Sequence, residues 1–170
     1  MRLKEMVSIR KMQSSDAKQA SKMTKEIMLD CWDKYEKDYY PKKALNFDIS
    51  WHSPKYYRDA LKEKTNFTFV AEENNKIVAI VNGRLVGESG LARLGWIGVH
   101  PTRQNNGIGK ALLEHVVKHC RAEGCHKITL YTLPVLIPAI NLYLKYGFVP
   151  EAYLHKEWWN VNFIKMSKWL

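Results

Sequence analysis

The chain has 170 residues, 46% of them hydrophobic, and carries 27 Lys and Arg against 17 Asp and Glu, a net charge of +10. That length and apolar fraction exclude a disordered or fibrous chain and predict one domain, residues 1–170, with a sizeable buried core. Three cysteines, Cys31, Cys120 and Cys125, without a C-x-x-C pair, exclude a disulfide framework and a zinc ribbon, so no metal site is expected.

The positive charge is spread along the chain, and its longest Lys/Arg run is two residues, as at Lys42-Lys43. That distribution argues against specific nucleic-acid binding, while the diffuse field would still attract an anionic small molecule. Met1 to Glu5 is charged with no apolar core behind it, which reads as no secretory signal. The apolar run Leu130–Leu144 is broken by Thr132, Pro134, Pro138 and Asn141, so no membrane span is predicted and the cytoplasm is the expected compartment.

Val7 to Arg10 alternates as a first strand. Ser14, Ser15 and Asp16 offer an N-cap, and Ala20, Met23, Ile27 and Leu29 or Cys31 make the apolar face of the helix after them. Tyr35 to His52 is polar and aromatic, punctuated by Pro41, and is read as the connection to a second helix. Ser53 and Pro54 are the cap and first turn of that helix, which runs through Lys62. Tyr39, Tyr40, Trp51, Tyr56 and Tyr57 are read first as packing for this helical hairpin. Phe67 to Ala71 and Lys76 to Val86 form a β-hairpin across a turn at Glu72 to Asn75. Gly87 to Gly90 turns the chain into a third member of the meander, Leu91 to Val99.

The stretch from Leu94 to Cys120 reads as strand, tight loop, helix. His100, Pro101 and Thr102 stop the strand, since Pro lacks a ladder donor. Gln104-Asn105-Asn106-Gly107-Ile108-Gly109 leads into a helix whose buried face is Ile108, Leu112, Val116 and Cys120. Glu114, His115 and Lys118 take the wet face; His115 and His119 share a side of the helix without a zinc spacing. A helix start exposes free N–H groups and a partial positive charge, and glycines there let a phosphate approach the backbone. A Walker A loop is excluded by Gln104 and Ala111, and a dinucleotide fingerprint by Leu112.

Gly124 closes that helix. Lys127 to Tyr131 is a short core strand parallel to the one before the crossover. Pro138 opens a helix over Ala139 to Tyr146 with Gly147 just past its end. Phe148 to Leu154 and Phe163 to Lys168 are the last strands, joined by the aromatic segment His155 to Asn160.

Val99, Pro101, Gln104, Gly107, Ile108, Gly109, Leu112 and Leu113 fit the pattern Val-x-Pro-x-x-(Arg or Gln)-x-x-Gly-(Ile or Val)-Gly-x-x-Leu-Leu. Ala139, Tyr143, Gly147 and Phe148 fit a second one, Ala-x-x-x-Tyr-x-x-x-Gly-Phe. Both resemble the signature motifs of the GNAT acyl-CoA N-acyltransferases, over about residues 91–150. The resemblance implies an α/β (α+β) fold: a mixed, mostly antiparallel sheet of about seven strands, flanked by about four helices and splayed between the fourth and fifth strands. It implies a bulge there, which Gly95 and Gly98 suit.

It further implies acetyl-CoA as cosubstrate. Ile97, Gly98 and Val99 would meet the pantetheine arm and acyl group. Asn105, Asn106, Gly107, Ile108, Gly109 and Lys110 would hold the pyrophosphate. Gln104 stands where many relatives have Arg, and Asn141 is the polar group nearest a cofactor-contacting Asn that this chain replaces with Leu136. Tyr143 matches the family's tyrosine near the CoA sulfur, a general acid for the departing thiolate. The general base stays unassigned: Tyr131 stands where some relatives carry Glu, and Glu88 and Glu157 read as surface charges.

The expected reaction is acetyl transfer to a primary amine, on a small molecule or a peptide, by direct attack in a ternary complex. The alternatives are a non-catalytic CoA-binding module, with Tyr143 as packing, and a basic nucleic-acid-binding protein. Trp158 and Trp159, read as exposed, suit a homodimer interface.

Overall fold

A computed structural model describes residues 7–170. The first strand, β1, is Ser8–Lys11. Helix α1 spans Ala17–Cys31 and buries Ala17, Ala20, Met23, Thr24, Ile27 and Met28, the spacing of one helical face. The chain then makes one wide turn, Trp32–Glu36, where the N–H of Lys37 reaches the carbonyl of Trp32 five residues back. Helix α2 is Lys42–Trp51 and helix α3 is Pro54–Ala60, the latter capped by the Ser53 hydroxyl, which accepts from the N–H of Tyr56.

The strands β2 (Asn66–Glu73), β3 (Lys76–Leu85) and β4 (Leu91–Val99) form the meander. Helix α4 is Ile108–Ala122, strand β5 is Lys127–Thr132, and helix α5 is Ile137–Lys145. Strands β6 (Val149–Leu154) and β7 (Phe163–Trp169) complete a seven-stranded sheet in the order β1-β2-β3-β4-β5-β7-β6. Every pairing is antiparallel except β4 with β5. The expected fold class is therefore present, with five α-helices among the described residues where about four were expected.

The extra helix is α2, where the sequence reads as a connection. Its N-cap is Pro41, which has no capping side chain, and only Ala44 and Leu45 are buried in it, too short an apolar stripe to stand out from the sequence. His115 and His119 are also drier than expected. Both are partly covered, with Phe69 4.5 Å from the His115 ring and 5.3 Å from the His119 ring, and burial pushes both imidazole pKa values down.

The sheet separates two apolar layers. Phe67, Phe69, Ala71, Val81, Ala92 and Leu94 face α4 and α5. Val70, Ile77 and Ile80 face α1 and Tyr57 of α3. The parallel pair β4–β5 holds for only three positions, Leu91 with Lys127, Ala92 with Ile128 and Arg93 with Thr129. Beyond Arg93 the two strands part, and the opening between them runs from one layer towards the other.

Candidate active site

The opening widens into a cleft of about 850 Å³. One wall is the second half of β4, where Asn82 pairs with Trp96 but Gly83 pairs with Leu94, leaving Gly95 as the extra residue of a bulge. A side chain at 95 would meet Oδ1 of Asn82 at 2.7 Å, so close contact with β3 requires glycine there. Gly98 pairs regularly with Ile80 and lies outside the bulge; a Cβ on it would fall 2.2 Å from the Trp96 ring, which covers it. Gly95, Trp96, Ile97, Gly98 and Val99 all line the cleft.

At the floor, Gly107 takes φ 77 as it enters α4, and the first closed turn is the N–H of Ala111 to the carbonyl of Gly107. The N–H groups of Ile108, Gly109 and Lys110 precede that turn and have no partner within the helix. Gly109 sits where a Cβ would be 3.2 Å from Leu142 and 3.7 Å from Val99, so the helix start is held tight between α5 and β4. Gln104, Asn105, Gly107, Ile108, Gly109 and Lys110 line this end. The Gln104 amide donates to the carbonyl of Val99 at 3.1 Å, which ties it to the strand end. The residues fit a diphosphate: donors are free, the helix end is positive, and Lys110 flanks it.

Asn106 and Asn141 fall outside the lining. The Asn106 side chain donates to the carbonyl of Arg103, and Asn141 is exposed. The reason lies in the helix period. Ala139, Leu142, Tyr143 and Tyr146 share the face that lines the cleft, and Asn141, two residues from Tyr143, is turned about 200° away. Tyr143 is 6% exposed, its ring 5.8 Å from Phe148, and burial raises its phenol well above the usual tyrosine range. The phenol therefore keeps its proton at neutral pH.

The cleft also holds a group that the sequence did not mark. Glu36, at the end of the wide turn after α1, lines the cleft, and its carboxyl pKa is raised to about 7, first by burial and then by the charge of Asp48. Asp48 lies on the face of α2 shared with Ala44 and Leu45, accepts from the Tyr40 hydroxyl at 2.9 Å, and is raised by burial too. His52, whose Nδ1 lies 2.8 Å from the Asp48 carbonyl oxygen, has its pKa lowered by burial. Cys31 also lines the cleft, but burial and then Glu36 push its thiol up to about 12, which leaves no thiolate nucleophile. The wide turn at an otherwise regular helix end is the local signal for Glu36.

Tyr131 lies in the cleft, with the Arg93 guanidinium over its ring at 5.2 Å and Trp158 edge-on at 5.4 Å. Glu88 and Glu157 are exposed and outside the lining. Trp159, expected at the surface, is partly buried against Phe47, whose ring is 5.5 Å away; only Trp158 is half exposed. Among the described residues no group of three His, Cys, Asp or Glu could hold a metal ion, and no helix is long and apolar enough to cross a membrane.

Known proteins resemble this chain in sequence or in fold. The sequence model of the Acetyltransferase (GNAT) family matches residues 24–148. An acetyltransferase of Pectobacterium atrosepticum is 33% identical over 96 residues, which is 56% of this chain and 67% of that protein. A mycothiol acetyltransferase of Arthrobacter is 40% identical over 52 residues, 31% of this chain, and the chain spans only 16% of its length. Among solved structures, the PaiA N-acetyltransferase of Thermoplasma acidophilum in complex with coenzyme A superposes with a TM-score of 0.82 at 18% identity, over 97% of this chain and 99% of that one. The ribosomal-protein-S18-alanine N-acetyltransferase of Escherichia coli superposes with a TM-score of 0.70 at 21% identity, over 96% and 94%. With the family match spanning most of the sequence, the chain belongs to the acetyltransferase (GNAT) family.

Proposed function

We propose that the chain moves an acetyl group from acetyl-CoA to a primary amine by direct attack within a ternary complex. The observation that carries this reading is the opening between β4 and β5, which brings three things into one cleft: free N–H groups at the start of α4, the buried phenol of Tyr143, and the raised carboxyl of Glu36. The thioester supplies an activated acyl group. The N–H groups of Ile108, Gly109 and Lys110, with Lys110 itself, hold its diphosphate. The backbone N–H of Val99, which points away from β3 while those of Gly98 and His100 point towards it, faces the acyl carbonyl. Glu36 takes the proton that the amine must lose, and Tyr143 gives one to the departing sulfur. The protonated thiol of Cys31 supports a path without a covalent enzyme intermediate.

A thiol-release assay with acetyl-CoA against a panel of amines tests the activity. Turnover with at least one amine is expected. In Tyr143→Phe, kcat should fall by about a hundredfold while the calorimetric Kd for CoA stays within about threefold. The packing of Tyr143 against Phe148 keeps a second reading in view, a non-catalytic CoA-binding module. CoA binding without turnover of any amine would favour that one.

A further inference from the structure

A small recess of about 120 Å³ opens beside the cleft and shares Tyr56, Asn82, Arg93 and Gly95 with it. It lies on the α1–α3 side of the sheet, away from the start of α4. Arg84 on β3 and Arg93 on β4 stand directly opposite each other in the ladder and both line it. Paired residues present their side chains on the same face, where like charges repel. The ion pairs among the described residues include neither of these arginines.

A second observation is independent of charge. Asn82 is 8% exposed, and its Nδ2 has no hydrogen-bond partner; the buried Nε of Arg93 has none either. Oδ1 of Asn82 is turned to the bulge at Gly95, so the amide leaves its donor unmatched. Arg93 is steadied from its other end, over the Tyr131 ring and with Nη2 3.4 Å from the Tyr131 hydroxyl. Two guanidinium groups and an amide donor thus surround a pocket large enough for a few atoms, with no carboxylate supplied by the described residues. Orphaned buried donors and an unpaired charge are each destabilising unless a ligand completes them. The group that does so accepts only and matches a guanidinium fork, as a carboxylate does.

We propose that this recess binds a carboxylate of the acceptor through Arg93 and the Asn82 amide, with Arg84 neutralising it from across the ladder, so that the preferred substrate is a small amine that also bears a carboxylate. The inference rests on the acetyl-transfer reading above and narrows it. Amines that carry only further positive charges place a cation beside two arginines and are poor substrates.

The test compares one dipeptide with its C-terminal amide, which share the same attacking amine and differ only in the anion. For the wild-type protein kcat/KM should favour the acid by about ten- to a hundredfold. In Arg93→Gln and in Arg84→Gln the acid-to-amide ratio should fall towards one, with circular dichroism and melting used to check the fold. If either variant fails to fold, the wild-type ratio still decides. A wild-type ratio near one, or a ratio that both folded variants keep, overturns the proposal. Calorimetry of acid and amide on the CoA-loaded protein gives a second readout: tighter binding of the acid supports the recess, and equal binding sinks it even where neither peptide is acetylated. Loss of the acetyl-transfer reading looks different, as CoA that does not bind and amines that are never consumed. The calorimetric comparison on the free protein then decides the recess on its own.

Discussion

Burial withholds water from the Glu36 carboxylate, and Asp48 adds a second negative charge beside it, so its proton stays on up to about pH 7. The folded value lies above the unfolded one. Its contribution to stability is therefore full below the ordinary carboxylate range and is lost as pH rises through about 7. Glu36→Gln removes that dependence: the variant should melt a few degrees above wild type near pH 8, with the gap closing near pH 5. In the proposed mechanism the same proton governs catalysis. In wild type kcat/KM should climb with pH to a plateau, with an apparent pKa near 7, and Glu36→Gln should lose both the limb and most of the rate. A variant that keeps the limb would place the base elsewhere. The candidates that line the cleft, Tyr143, Gln104, Asn105 and Gly107 to Lys110, could be named from the sequence because a fixed local pattern holds them together. Glu36 and Asp48 were not, because they meet only through the packing of α2 against the end of α1.

Glycine at 107 shows how one backbone conformation sets the start of α4. A Cβ there would touch nothing within 4 Å, yet φ is 77, so a substitution is penalised through the backbone alone, by about 1–2 kcal/mol. Gly87 is a matched control: its φ is 54, its surroundings are equally open, and it lies in the β3–β4 turn away from the cleft. Gly107→Val and Gly87→Val should lower Tm by similar amounts, but only Gly107→Val should weaken CoA binding, by about tenfold, when titrated calorimetrically. Equal affinities would dissociate the loop from the diphosphate. Elements bounded by Pro and Gly were read from sequence to within a residue or two; β4 and the start of α4 are where expected. Helix α2 was hidden because aromatic and polar residues break its apolar stripe, and Asn141 falls outside the cleft lining because nearness in sequence carries no record of helix rotation.

Across the whole molecule, the site is closed by segments distant in sequence. The Tyr39 hydroxyl donates to the carbonyl of Asn162 at 3.0 Å and accepts from its N–H at 3.1 Å, joining the α1–α2 connection to the loop between β6 and β7. That loop holds Trp159 at φ 61, unusual for a bulky residue, and packs it on α2 beside Phe47. Tyr39→Phe should cost about 1–3 kcal/mol in denaturant unfolding, since it strands both backbone groups of Asn162. A change below about 0.5 kcal/mol would show that this clasp is ornamental. The β2–β4 meander and a β5 parallel to β4 were expected from alternating patterns and turns. The closing of the cleft by the β6–β7 loop was not, since its positive-φ residues, Lys156, Trp159 and Asn160, carry no glycine to announce them.

The three-rung seam between β4 and β5 leaves the main chain from Gly95 to Val99 tied on one flank only, to β3. On the other flank its amides address solvent, as they would at an outer edge, though they lie mid-sheet. An extended ligand arm can therefore enter as a short eighth strand, and deuterium uptake should record its arrival there: rapid at these amides in the free protein, slowed once the gap is bridged.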